Sequence, residues 1–319
     1  MKILLGAYTR NDSEGLYQID LNETDQTLEN LELLIKAENP TYLDYDKTNN
    51  TLYSVYQEGN LGGIGAYTFT EEGNLEKKYA ITEEGTPPCY VKYDSQSGKI
   101  YDANYHHGKM NIYQNQTHIK TVQYEEGAHA HYTDFDPKTN VLYVCDLGND
   151  KVYKYQNDEQ IASIRLEEGS GPRHIAFHPT LDRLYVFAEL NNTVTVLDSD
   201  FNIYQIITSL EHETNQSAGA AIRISNDGKF LYASNRGEDS LVVYAIDESG
   251  QLSIIQHIST FGEHPRDFDL SPDGQFLVVA NRDTNNLSLY TRDQLTGLLT
   301  NVQKDIHAPE AVCVYFLDK

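Results

Sequence analysis

Three features of this 319-residue sequence predict an all-β fold, a seven-bladed β-propeller of four-stranded antiparallel blades. A small or proline anchor, a short alternating strand, a turn rich in Asp, Asn and Gly, and a second strand recur seven times, from Pro40, Pro88, Ala130, Pro172, Gly219, Pro265 and Pro309. Successive anchors lie 48, 42, 42, 47, 46 and 44 positions apart, a spacing with room for four short strands. The seventh copy stops after one strand, while the chain opens on "KILLGAYTR" and "GLYQIDL", so the N-terminal strands complete the last blade. Closing the ring this way pairs the terminal strand edges that would otherwise template aggregation.

The first copy, "PTYLDYDKTNNTLYSVYQ", supplies two inner strands, and "GIGAYTFT" and "LEKKYAIT" the two outer ones. "PCYVKYDSQSGKIYDANY", "AHYTDFDPKTNVLYVCDL", "PRHIAFHPTLDRLYVFAEL", "GAAIRISNDGKFLYASNR" and "PRDFDLSPDGQFLVVANR" repeat the plan, and "PEAVCVYF" begins the last unit. Period-2 alternation and 24 tyrosines without a tryptophan suit pleated, half-buried surfaces. "GGIG", Gly62 to Gly65, reads as a turn entering a strand. No segment holds a capped helical period, and no linker or composition shift divides the chain, so residues 1–319 are read as one domain.

A formal net charge of -24 disfavours nucleic acid and anionic membranes as partners. No apolar run reaches the roughly 18 residues of a membrane span, and the N-terminus lacks the apolar core of a signal peptide. A cytoplasmic protein, monomeric or weakly homo-oligomeric, is expected. Cys89, Cys145 and Cys313 are scattered and odd in number, which suits reduced, buried thiols rather than a disulfide framework.

Superimposing the copies turns the sequence into rings of equivalent positions. Just after each anchor stand Thr41, Cys89, His131, Arg173, Ala220, Arg266 and Glu310; at the end of the second strand stand Thr9, Gln57, Tyr105, Leu147, Glu189, Arg236 and Arg282. Antiparallel pairing puts both sets at one mouth of the axial channel. Of nine arginines in the chain, Arg173, Arg236, Arg266 and Arg282 fall on these rings. They pair either with carboxylates between blades (Asp146, Glu189, Asp267 or Glu310) or with an anionic small molecule, which arginine holds bidentately.

"GAHAHY" places His129 and His131 two apart, on one side of a strand. Either could serve as a general base, or both as metal ligands with Asp146 as a third. By alternation His174 and His178 share a face opposite Arg173, between blades. His106 and His107 end a strand at the same mouth.

"GPRHIAFHP" with "LYVFAEL", "GAHAHYTDFDP", "VCDLGNDKVYKY", "FLYASNRGEDSLVVYAID" and "PRDFDLSPDGQFLVVANR" resembles, in order along nearly the whole chain, the seven-bladed propeller lactonases. That group includes the bacterial propeller-type 6-phosphogluconolactonases and the fungal carboxy-muconate cyclases. The resemblance implies ring opening or closing of an anionic lactone without metal or organic cofactor, most simply hydrolysis of 6-phospho-D-glucono-1,5-lactone. It places the catalytic group on His131, Arg173, Glu189 and Arg236, and leaves His129, Arg266, Arg282, Asn235 and Asp146 for substrate binding. A cyclase acting on a carboxylated muconate and a non-catalytic binding propeller are the alternatives.

Overall fold

A computed structural model describes residues 1–212, 214 and 216–317. They form seven four-stranded antiparallel sheets, and no helix among them is long and apolar enough to cross a membrane. The innermost strands are Leu43–Asp46, Tyr90–Asp94, Ala130–Phe135, Pro172–Phe177, Ala218–Ile224, Pro265–Leu270 and Ala311–Phe316, here the first strands of blades one to seven. Blade seven joins Ala311–Phe316 to Lys2–Ala7, Gly15–Asn22 and Thr27–Lys36, with Ile3 opposite Phe316. The ring closes as the sequence predicts.

Position within a blade decides what a strand is made of. Second strands are covered on both faces by neighbouring blades; Leu142–Asp146, Leu184–Ala188 and Phe276–Asn281 are buried throughout. Outermost strands such as Thr117–Gln123 are largely exposed and carry polar residues. Several buried tyrosines bond across blades: the Tyr185, Tyr232 and Tyr132 hydroxyls donate to the carbonyls of Gly250, Gly297 and Ile175 at 3.0, 2.9 and 3.0 Å. The ring supplies apolar area while the hydroxyl is satisfied, which is why this fold can use tyrosine freely.

The GGIG segment is not a turn but lies inside the strand Leu61–Phe69. A Cβ on Gly63 would sit 2.0 Å from the Ile81 carbonyl oxygen, so the neighbouring strand excludes a side chain there. Gly219 plays a similar part between blades four and five, where a Cβ would meet the Ala188 carbonyl oxygen at 2.5 Å and the Phe187 ring at 2.8 Å. Gly219→Ala is therefore expected to cost about 1–3 kcal/mol through overpacking, read as a lower urea midpoint. An unchanged midpoint would show that the seam tolerates a methyl group.

A β-bulge in the first strand creates the inner ring. Pairing skips His131 between Ala130 and Tyr132, Arg173 between Pro172 and His174, and Arg266 between Pro265 and Asp267. The unpaired residue leaves the pleat and aims its side chain at the axis. In blade seven the skipped residue is Val312, since Ala7 pairs with Ala311 and Gly6 with Cys313. The sequence alignment anchored on Pro309 thus runs two residues early: Val312, not Glu310, occupies the ring. Glu310 instead accepts hydrogen bonds from the backbone N–H of Arg10, Asn11 and Ser13 at 3.1, 2.8 and 3.3 Å, fixing the loop after Lys2–Ala7.

Candidate active site

The inner-ring residues Thr41, Cys89, His131 and Arg266 floor a cavity of about 620 Å³ at one mouth of the channel. Its walls include Tyr8, Arg10, Asn39, Gln57, Tyr105 and His106. Below it a narrow extension reaches Arg173 and His174. Glu189 is the one carboxylate among the described residues lining the main cavity, in a chain of net charge -24.

Two of the arginines are committed to that carboxylate. Arg173 Nε and Arg236 Nη2 both bond Glu189 Oε2, at 3.0 and 2.9 Å. Arg173 Nη1 also donates to the Ala220 carbonyl at 2.6 Å, and Arg236 Nη2 to the Gly219 carbonyl at 2.7 Å. Burial tends to raise the Glu189 pKa, but Arg236, Arg173 and Arg266 outweigh it and hold the group below its ordinary value. Burial and the neighbouring arginines lower Arg173 to about 10. Two cations on one anion leave positive charge over, and Arg173 Nη2 has no hydrogen-bond partner among the described residues.

His131 is buried, with Nδ1 lacking any partner outside its own backbone. Burial, then Arg173, Arg266 and Arg236, push its pKa well below 6.5, so the imidazole is neutral. Its ring lies 6.0 Å from Tyr105 and 5.4 Å from His174. Glu189 touches the arginines rather than His131, so it orients cations, not the base.

Arg266 and Arg10 are committed to no carboxylate. Neither has an ion pair among the described residues, and both lie over the Tyr8 ring, with Cζ 5.8 and 4.0 Å from its centroid. Arg10 was not singled out in the sequence; it lies two residues beyond Tyr8, which takes the ring position given to Thr9. The clue was "YTR" itself, an arginine beside the ring in a chain with nine.

Other candidates serve the framework. Arg282 donates to Asp283 at 2.6 Å and lies outside the cavity lining. The His129 ring stacks on Tyr105 at 4.3 Å, and its Nδ1 contacts the Tyr105 carbonyl, so it supports a wall rather than lining the cavity. Asp146 accepts from the backbone N–H of His129 and from the Tyr153 hydroxyl, which occupies the oxygens a metal would need. Among the described residues no three His, Cys, Asp or Glu side chains gather as a metal-binding group.

Asn235, proposed for substrate binding, is buried and donates to the Ser209 carbonyl at 2.9 Å. Asn104 and Asn281 bond the Thr86 and Thr260 carbonyls in the same way, each clamping the segment that enters its blade. His178 contacts the Gly228 carbonyl at 3.0 Å, between blades as expected. His174 departs from the alternation, because the bulge at Arg173 shifts it to the channel floor. There its ring meets Tyr42, Tyr90 and Tyr132, and its Nε2 faces Arg173 Nη1 at 3.2 Å.

A family model described as a seven-bladed β-propeller lactonase matches residues 2–316. A Bacillus subtilis protein named 6-phosphogluconolactonase is 36% identical, over 98% of this chain and 97% of its own length. The crystal structure of a Lactobacillus plantarum protein superposes with a TM-score of 0.96 at 40% identity, covering 99% of each chain. A Pseudomonas aeruginosa periplasmic gluconolactonase superposes with a TM-score of 0.88 at 25% identity, covering 98% of each. With the family model spanning nearly every residue and the bulged ring of seven blades beneath it, this chain belongs to the seven-bladed β-propeller lactonase family.

Proposed function

We propose that the protein hydrolyses 6-phospho-D-glucono-1,5-lactone to 6-phosphogluconate, in the cytoplasm, at the mouth floored by His131 and Arg266. The observation that carries this is the charge of the cavity: uncommitted arginines and a neutral imidazole converge where a strongly acidic chain places a single, already neutralised carboxylate. A volume of about 620 Å³ suits a phosphorylated sugar lactone.

In this reading neutral His131 takes a proton from water as the water oxygen attacks the lactone carbonyl carbon. The carbonyl π electrons move onto oxygen, and Arg173, held through Nε by Glu189, faces that oxyanion with its remaining N–H groups. Collapse restores the carbonyl and breaks the ring C–O bond, and protonated His131 returns its proton to the leaving alkoxide. Arg236 holds Glu189 from its other side, so the carboxylate does not compete as a base.

The low pKa of His131 gives a pH signature. The free enzyme keeps its base deprotonated below 6.5, so kcat/KM is expected to hold as pH falls from 8 through 6.5 and to decline only further down. A bound anion offsets the arginines and raises the His131 pKa, so the acid limb of kcat is expected at higher pH than that of kcat/KM. Coincident limbs near 6.5 would mean an unperturbed histidine, contrary to the burial seen here. The substrate class is tested by comparing kcat/KM for the phosphorylated and unphosphorylated lactones: a ratio well above ten supports the reading, and equal values remove the phosphoryl group from it. Activity is expected to survive a chelator.

A further inference from the structure

Arg10, Tyr8 and Arg266 form a cluster that the hydrolytic chemistry above leaves unused. Arg266 belongs to both the cavity and its deep extension, whereas Arg10 lines only the wider part. Both guanidinium groups lie over the Tyr8 ring, a contact that orients a cation without neutralising it. The loop carrying Arg10 is held by Glu310, whose oxygens are taken up by backbone N–H groups and the Asn11 side chain. Glu310 therefore fixes the backbone of Arg10, while the Arg10 side chain makes no ion pair among the described residues. An exposed arginine alone is ordinary; one stacked on a cavity wall beside a second unpaired arginine is a cradle awaiting an anion.

We propose that Arg10 and Arg266 make up the subsite for the phosphoryl group of the substrate, formed between the first strand of blade six and the loop that follows Lys2–Ala7 in blade seven. The inference rests on the hydrolase reading and divides the labour within it. Arg173, Arg236 and Glu189 serve the reacting carbonyl, and Arg10 and Arg266 select the charged tail. Arg10 is then the specificity-determining residue, since it lines the wide part of the cavity but not its deep extension and makes no hydrogen bond or ion pair with His131, Glu189 or the arginines that hold it.

Arg10→Ala and Arg10→Lys test this, with calorimetric binding of 6-phosphogluconate and gluconate beside steady-state kinetics on the two lactones. Arg10 is exposed, so neither variant should disturb folding. Loss of a charge-assisted, bidentate contact is expected to raise KM for the phosphorylated lactone and Kd for 6-phosphogluconate roughly 10- to 100-fold in Arg10→Ala. The kcat, and both constants for the unphosphorylated compounds, should stay within about two-fold of wild type, with Arg10→Lys recovering part of the loss. If wild type binds 6-phosphogluconate and Arg10→Ala binds it equally well, the subsite is overturned and the hydrolase reading stands. If Arg10→Ala weakens phosphorylated and unphosphorylated ligands alike, Arg10 shapes the cavity and the subsite is again overturned. Wild type that neither opens the phosphorylated lactone nor binds its product would overturn both.

Discussion

His131→Asn is expected to lower kcat for lactone opening by roughly 10²- to 10⁴-fold, the span that general-base catalysis usually supplies, while KM changes little. The imidazole is buried among arginines with Nδ1 lacking a partner beyond its own backbone, so its removal forfeits no hydrogen bond to another residue. Thermal unfolding of the variant should stay near wild type, and that separates loss of a base from loss of a fold. A variant that keeps full activity would move the base elsewhere. Tyr105, which shares the wall, is a poor substitute because burial raises its pKa.

The second large effect concerns Glu189. Its carboxylate is the common partner of Arg173 and Arg236, and Arg266 lies near enough to act on all three. Glu189→Ala leaves these cations facing one another with no compensating anion. Removing one partner of a buried ion pair costs about 3–5 kcal/mol; Glu189 is partly exposed, so the lower end is expected. Activity should fall at least about 100-fold as Arg173 loses its orientation. Inorganic phosphate should raise the unfolding temperature of this variant more than that of wild type, because an anion can settle where the carboxylate was. Equal stabilisation of both proteins would show that the arginines are not repelling one another.

How much of this was legible depends on where the chain obeys its own repeat. Six of the seven copies gave the inner ring at the residues the structure places there, and His131, Arg173 and Arg266 were readable because they differ from their counterparts at an equivalent position. Simple alternation failed for the residue that directly follows a bulge. It put His174 between blades, yet the residue that follows an unpaired Arg173 swings onto the channel floor. The last copy slipped because Pro309 imitates an anchor two residues ahead of Ala311, and a separate one-residue slip in aligning "YTR" with the other second-strand ends passed over Tyr8 and Arg10.

Asn235 and Asp146 erred in the opposite direction. Asn104, Asp146, Asn235 and Asn281 recur at matching positions and hold the incoming segments of their blades, so sameness across copies marked framework and difference marked the site. No pattern in one sequence shows which arginines a carboxylate has already claimed. That partition, Arg173 and Arg236 on Glu189 with Arg266 and Arg10 left over, is a matter of side-chain geometry within blade four and between it and blade five.

The measurement closest to the central claim is the rate of acid release from freshly generated 6-phospho-D-glucono-1,5-lactone near pH 7, above the spontaneous rate, with wild type and His131→Asn run side by side. Acceleration by wild type that collapses in the variant is the expected result. No acceleration by wild type, or the same acceleration by both proteins, would contradict a phospholactone hydrolase working at this mouth of the channel.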